Sequence, residues 1–131
     1  MIVVDTNVIA YYWLNGEYTQ NTYNLLRKDS DWVVPFLWRS EFRNVLAMYQ
    51  RKELISLDMA LQIIEKSEKQ FKGREYFVNS AEVLKLTSKS DCSAYDCEFI
   101  ALASDLNIKL VTSDKKLLKN FPTIAISLFS F

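Results

Sequence analysis

The apolar positions of this chain fall into short β-branched runs separated by longer stretches of helical spacing. Ile2-Val3-Val4 opens as a strand that stops at Asp5, and Thr6 to Leu14 follows as a helix. After a turn at Asn15-Gly16, a helix from about Tyr18 to Lys28 leads to a strand at Trp32 to Val34, stopped by Pro35. Two longer helices are predicted over about Leu37 to Arg51 and Leu57 to Phe71. Ser56 caps the second, in which Leu57, Ala60, Leu61, Ile64 and Phe71 keep helical spacing. Gly73 ends that helix, and Glu75 to Val78 reads as a third strand. Asn79 and Glu82 form a capping pair for a helix to about Thr87. Beyond the polar Ser88 to Ser90 come a helix at Ala94 to Leu106, a strand at Lys109 to Thr112, a short helix at Lys115 to Asn120 and a last strand at Ile124 to Leu128. This alternation predicts an α/β protein with a parallel five-stranded sheet covered by helices on both faces. No repeat or linker interrupts the pattern, so residues 1–131 are expected to form a single domain.

Composition narrows the chemistry. Half of the residues are hydrophobic, which suits a globular core rather than a disordered chain. Sixteen basic residues balance sixteen acidic ones, so a strong non-specific grip on polyanions is excluded while a local basic patch is not. The only glycines, Gly16 and Gly73, sit in no phosphate-cradling pattern. Cys92 and Cys97 have no histidine or second cysteine pair to complete a zinc site and read as buried free thiols. The longest apolar run, Val8 to Leu14, falls far short of the ~20 residues that span a bilayer. An acid follows the first apolar residues at once, unlike a signal peptide. A soluble, cytoplasmic protein without a membrane role is expected.

The acids are where the pattern breaks its own rules. Asp5 ends the first strand and Asp114 follows Leu110-Val111-Thr112-Ser113, so two strands hand over to helices through aspartates. If those strands are parallel neighbours, both carboxylates meet at the sheet edge where open α/β folds place their sites. Each could simply cap a helix, as could Ser93 with Asp96. Helical phase sets two further acids apart. At about 100° per residue, Trp38, Phe42, Val45, Met48 and Tyr49 share one arc, and Glu41 lies inside it while Arg39, Arg43 and Gln50 lie opposite. Tyr95, Phe99, Ile100, Ala103 and Leu106 define the inward side of the later helix, and Asp96 falls between Ile100 and Ala103. Glu98 and Asp105 on that helix point away and read as solvent-facing.

Four converging carboxylates cannot all stay ionised without compensation. A divalent ion supplies it, and oxygen ligands favour magnesium or manganese. The chain has no histidine, which excludes Ser-His-Asp hydrolysis and histidine-based ribonuclease chemistry. Metal-assisted phosphodiester hydrolysis is the reaction such a site can support.

These residues resemble the PIN domain family, in particular its short, free-standing VapC-like ribonuclease toxins. The resemblance covers nearly the whole chain. It rests on Val3-Val4-Asp5-Thr6-Asn7, on Ser40-Glu41, on Tyr95-Asp96 followed by Ala101-Leu102-Ala103, and on Val111-Thr112-Ser113-Asp114. It implies a PIN-like three-layer fold and a magnesium-dependent endoribonuclease, the toxin of a toxin–antitoxin pair. By position, Asp5, Glu41, Asp96 and Asp114 are the implied catalytic and metal-holding acids. Thr6, Asn7 and Thr112 match polar positions that would support them. Cys97 stands where a small residue is common, a mild departure. Asp91 reads as a loop residue. Arg39 and Arg43 read as a solvated helix face rather than phosphate contacts, and Tyr11, Tyr12 and Trp13 as core or interface rather than base-stacking platforms.

Three other readings compete. A receiver-like phosphoacceptor also gathers aspartates around magnesium, but needs its acceptor at the end of a middle strand, where this chain has Phe77-Val78-Asn79. A haloacid-dehalogenase-type phosphatase needs an aspartate where Asn7 stands. A PIN-like scaffold without activity, serving only to bind a partner, would have no reason to keep all four acids. The expected partners are an RNA substrate, a small antitoxin whose arginine would enter the acidic cleft, and a second copy of the chain. Apolar residues of the helical pair from Leu37 to Phe71 and of the first helices exceed what a small sheet can cover, which is the argument for a homodimer.

Overall fold

A computed structural model of the protein describes residues 1–131. Its elements run β1 (Ile2–Val4), α1 (Thr6–Trp13), α2 (Thr19–Lys28), β2 (Trp32–Pro35), α3 (Leu37–Arg51), α4 (Leu57–Gln70), β3 (Glu75–Tyr76), α5 (Ser80–Ser88), α6 (Ala94–Leu106), β4 (Leu110–Thr112), α7 (Lys115–Asn120) and β5 (Ala125–Ser127), closed by a 3-10 turn at Leu128–Ser130. The five strands form one sheet in the order β3-β2-β1-β4-β5, and every pairing is parallel. Helices cover both faces. The expected architecture is therefore the observed one.

The sequence explains the sheet directly. Val3 and Val4 of β1, Val33 and Val34 of β2, and Leu110 and Val111 of β4 are all buried. Such unbroken apolar runs are what strands sandwiched between two helical layers require. Trp38 and Phe42 of α3, Phe71 after α4, and Phe99 and Ile100 of α6 fill the layers against them. Gly73, at φ +76°, lets the chain turn from α4 into β3 in a conformation that other residues rarely adopt.

The order of the strands positions the site. From β1 the chain winds outward through β2 to β3, then crosses back to place β4 on the opposite side of β1. The winding direction reverses between β1 and β4, and a crevice opens there at the carboxyl ends of the strands. Val4 pairs with Val111, and the Asp5 amide continues the ladder by donating to the Val111 carbonyl at 3.0 Å.

Three expectations are corrected. The third strand is two residues long and ends before Phe77, which is 88% exposed. Tyr95 is 64% exposed rather than part of the buried side of α6, because it sits in the first turn, beyond the reach of the sheet. Met48 is also exposed, and the buried positions of α3 are Trp38, Phe42 and Leu46; Leu57 and Leu61 are exposed too, in keeping with a helical pair that carries more apolar surface than the sheet covers. The cause is length. A fifteen-residue α3 runs about 22 Å, whereas three-residue strands such as β1 and β4 extend about 10 Å. The far end of the α3–α4 hairpin has no sheet beneath it.

Candidate active site

Asp5 is the N-cap of α1, with its own amide still in the sheet. One carboxylate oxygen accepts from the Thr6 amide at 2.8 Å; the other accepts from the Thr112 hydroxyl at 2.6 Å and the Asn7 side-chain amide at 3.2 Å. Only 6% of the residue is exposed. Burial pushes its pKa up to about 7, against the pull of the hydrogen bonds from Thr112 and Thr6 and with a smaller push from the charges of Glu41 and Asp96. Hydrogen bonds without a cation thus leave this carboxylate half protonated near neutrality.

Glu41, in the second turn of α3, accepts from the Thr6 hydroxyl at 2.7 Å. Burial raises its pKa, followed by the charges of Asp96 and Glu98, while the Thr6 bond opposes the rise. Asp96 lies in the first turn of α6, and its amide donates to the Ser93 hydroxyl of the N-cap at 3.1 Å. Its pKa is raised by burial first and by the Asp114 charge second, against the hydrogen bond with Ser93 and the charge of Lys116. Asp114 caps α7, accepting through Oδ1 from the amides of Lys116 and Leu117 at 2.8 and 3.3 Å. That leaves Oδ2 without a hydrogen bond within the chain.

These four acids line a single cavity of about 330 Å³ together with Thr6, Asn7, Asn44 and Val45. No lysine or arginine lines it. Capping and convergence are compatible: Asp5 and Asp114 do cap helices, yet two of their neighbours at the crevice are acids with raised pKa values. The three polar positions form the frame. Thr112 donates to Asp5 and accepts the Asp114 amide at 3.0 Å, tying the ends of β1 and β4 together. Asn7 donates to Asp5 and accepts the Ser113 amide at 3.3 Å. The Thr6 hydroxyl holds Glu41 while the Thr6 amide holds Asp5.

The acids do not close as a preformed cage of three or more ligands about one point. The donor set nevertheless suits a hard divalent cation. All of the donors are oxygens, the most buried of them is penalised for its charge, and no internal cation offsets it. A small ion that keeps several waters needs only part of such a set.

Residues around the cleft divide as follows. Asn44 lines it and was not anticipated, although it stands three residues after Glu41 and so shares its helix face. Arg39 is not a freely solvated side chain: it forks onto Glu75 at 2.6 and 2.8 Å and reaches Glu68 at 3.4 Å. Arg43 is exposed, and Asp91 is an exposed loop residue whose carbonyl meets Lys116 at 3.5 Å. The early aromatics pack as expected. Tyr12 meets Trp32 edge to face, and the Trp13 indole donates to Gln70 at 2.8 Å.

Glu98 is a further correction. Two positions along α6 from Asp96, it lines no part of the acidic cavity, although its charge still reaches Glu41, and it does not stand in open water. It is half-buried in a separate, largely apolar cavity against α5, where burial alone raises its pKa. Asp105 is exposed, as the helical phase predicted.

Comparison with known proteins returns one consistent result. The family model described as PIN domain matches residues 2–122. Ribonuclease VapC3 of Pyrobaculum aerophilum is 28% identical over 127 residues, covering 94% of this chain and 96% of that protein. FitAcB from Neisseria gonorrhoeae superposes with a TM-score of 0.79 at 17% identity, over the full length of both chains. A toxin–antitoxin complex from Klebsiella pneumoniae matches with a TM-score of 0.67 at 13% identity, covering 98% of each chain. At such identities the two structures speak for the fold.

Proposed function

The chain belongs to the PIN domain family, and from that premise we propose that it is a magnesium-dependent endoribonuclease, the toxin of a toxin–antitoxin pair. The observation that carries this reading is the cleft itself: Asp5, Glu41, Asp96 and Asp114 line one cavity that contains no positive side chain. The name of the 28% identical ribonuclease relative and the toxin–antitoxin neighbour support it from outside.

In this reading Asp5, Glu41, Asp96 and Asp114 would together hold Mg2+, or Mn2+ in its place, with Asp114 the least direct of the four. When bound, the ion acidifies a water and stabilises charge on the departing oxygen of a phosphodiester. The residues of the chain prepare the place for it. Thr112 and Asn7 fix the orientation of one Asp5 oxygen, and the Thr6 amide fixes the other. The Thr6 hydroxyl holds Glu41 toward the same cleft. Asp114 uses Oδ1 for its helix cap and leaves Oδ2 without a partner in the chain. Because these bonds exist before any ligand arrives, little reorganisation is needed on binding.

The chain acts as one domain, pairs with a second copy, and works in the cytoplasm; no helix is long and apolar enough to cross a membrane. A small antitoxin controls it, inserting an arginine into a cleft that no lysine or arginine lines. A receiver-like role finds no support, since β3, whose end would carry the acceptor, is an edge strand of this sheet and is followed by Phe77 rather than by an acid. The test is incubation of the purified protein with total cellular RNA, with magnesium or with a chelator, and mapping of the new ends. Discrete ends that need magnesium are expected. Intact RNA under both conditions, with magnesium and manganese alike, would refute the nuclease reading.

A further inference from the structure

Beside the acidic cleft lies a cavity of about 460 Å³ with the opposite character. Its walls include Phe36 after β2, Phe77 after β3, Val83 and Leu84 of α5, and Ala94 of α6. The Phe36 and Phe77 rings lie 4.6 Å apart with their planes tilted by 32°. Phe77 and Leu84 are both strongly exposed, and apolar surface of this kind on a cavity rim marks a place for a ligand. One charged side chain enters the cavity, that of Glu98, and its carboxylate makes no hydrogen bond or ion pair within the chain.

The two cavities share their supports. Phe36 immediately precedes α3, which carries Glu41, and Glu98 follows Asp96 by two residues on α6. Glu98 is near enough for its charge to act on Glu41. A flexible strand with a phosphodiester at the acids could therefore lay a neighbouring residue into the apolar cavity.

We propose that this cavity is a nucleobase subsite for a guanine of the RNA strand, with Phe77, backed by Phe36, stacking on the base and Glu98 accepting from its N1–H and 2-amino groups. The proposal rests on the ribonuclease reading and adds a substrate preference to it. Unpaired bases are recognised by aromatic stacking and by hydrogen bonds along their Watson–Crick edges. Guanine alone presents two adjacent donors there, the pattern that a carboxylate with two free oxygens accepts. Adenine and cytosine place a ring acceptor beside their amino donor, and uracil sets its one donor between two carbonyls. Each would turn a lone pair toward Glu98. A base is also uncharged, so it can approach this acid-rich face where a phosphate would be repelled.

The test titrates the whole protein, without metal, with the 5′-monophosphates of guanosine, adenosine, cytidine and uridine, following backbone amide resonances. Guanosine monophosphate is expected to bind best and to move the signals of Phe77 and Glu98. Phe77→Ala should weaken it on the order of tenfold, and Glu98→Gln should weaken it similarly and level the preference among the four. Equal affinities, or shifts confined to the acidic cleft, would overturn the proposal. So would Phe77→Ala turning a dimer into a monomer with nucleotide binding unchanged, since the patch would then be a contact between copies. Mapped RNA ends separate the two readings. Selective guanine binding without any RNA cleavage would sink the nuclease and leave the base pocket standing. Cleavage with no base preference, unaltered by either substitution, would do the reverse.

Discussion

At the scale of single residues, one carboxylate bears the strongest constraint. Asp5 is buried, bonded by three donors and still protonated at higher pH than an ordinary aspartate. Asp5→Asn keeps the cap, since asparagine caps about as well, so the fold should survive. RNA cleavage should collapse, while the metal-free protein should become more stable at pH 8 because the costly buried charge is gone. A thermal melt beside a cleavage assay checks both. Glu41→Gln and Asp96→Asn should also abolish cleavage, Asp114→Asn should be milder, and Asp105→Asn should be silent. Equal losses at Asp96 and Asp105 would show that the wrong face of α6 had been chosen. Thr112→Val removes a donor to Asp5 and should weaken metal binding about 10–100-fold, measured by titration of the ion.

The direction of the pH dependence follows from the same group. Asp5 has a folded pKa of about 7, above its unfolded value of 3.8, so the folded state binds more protons between those limits. Stability of the metal-free protein should therefore fall as pH rises from about 4 to about 7 through Asp5, with Glu41 and Asp96 pulling the same way. Saturating magnesium should flatten this fall, and Asp5→Asn should remove most of it. Melting temperatures across that range, with and without the ion, give the answer.

At the scale of elements, the site was legible where a local rule was visibly broken. An acid at the end of a buried strand, or on the sheet-facing arc of a helix, conflicts with its surroundings, and that conflict marked Asp5, Glu41, Asp96 and Asp114. Glu98 was misread for a physical reason. Helical phase tells which side of α6 opposes the sheet, but not that α5 covers the other side. The hairpin of α3 and α4 shows the same limit: Leu57 and Leu61 keep helical spacing, yet nothing in their spacing states how far the sheet extends beneath them. Arg39 was legible as a surface position but not as the partner of Glu75, a contact 36 residues away in sequence. Because that pair braces α3 against β3, Arg39→Ala should cost about 1–3 kcal/mol in urea unfolding. Cleavage per folded molecule should stay the same. Lost activity at unchanged stability would instead make Arg39 a phosphate contact.

At the scale of the whole molecule, the strand order brings β1 and β4 together and so turns two distant aspartates into neighbours. The same short sheet leaves Met48, Leu54, Leu57, Met59 and Leu61 uncovered at the tip of the hairpin. A second copy covering this tip would join two clefts into a longer channel. Light scattering should find a dimer at micromolar concentration, and a Leu57→Glu, Leu61→Glu double variant should be monomeric. A monomer before substitution would remove the idea. Everything else depends on whether the cleft is a metal centre, and calorimetric titration of the wild-type protein and Asp5→Asn with manganese tests that most directly. The wild type should bind the ion with release of protons at pH 7, and the variant should lose most of the affinity while remaining folded. Indistinguishable titrations, or no binding by the wild type, would contradict the account.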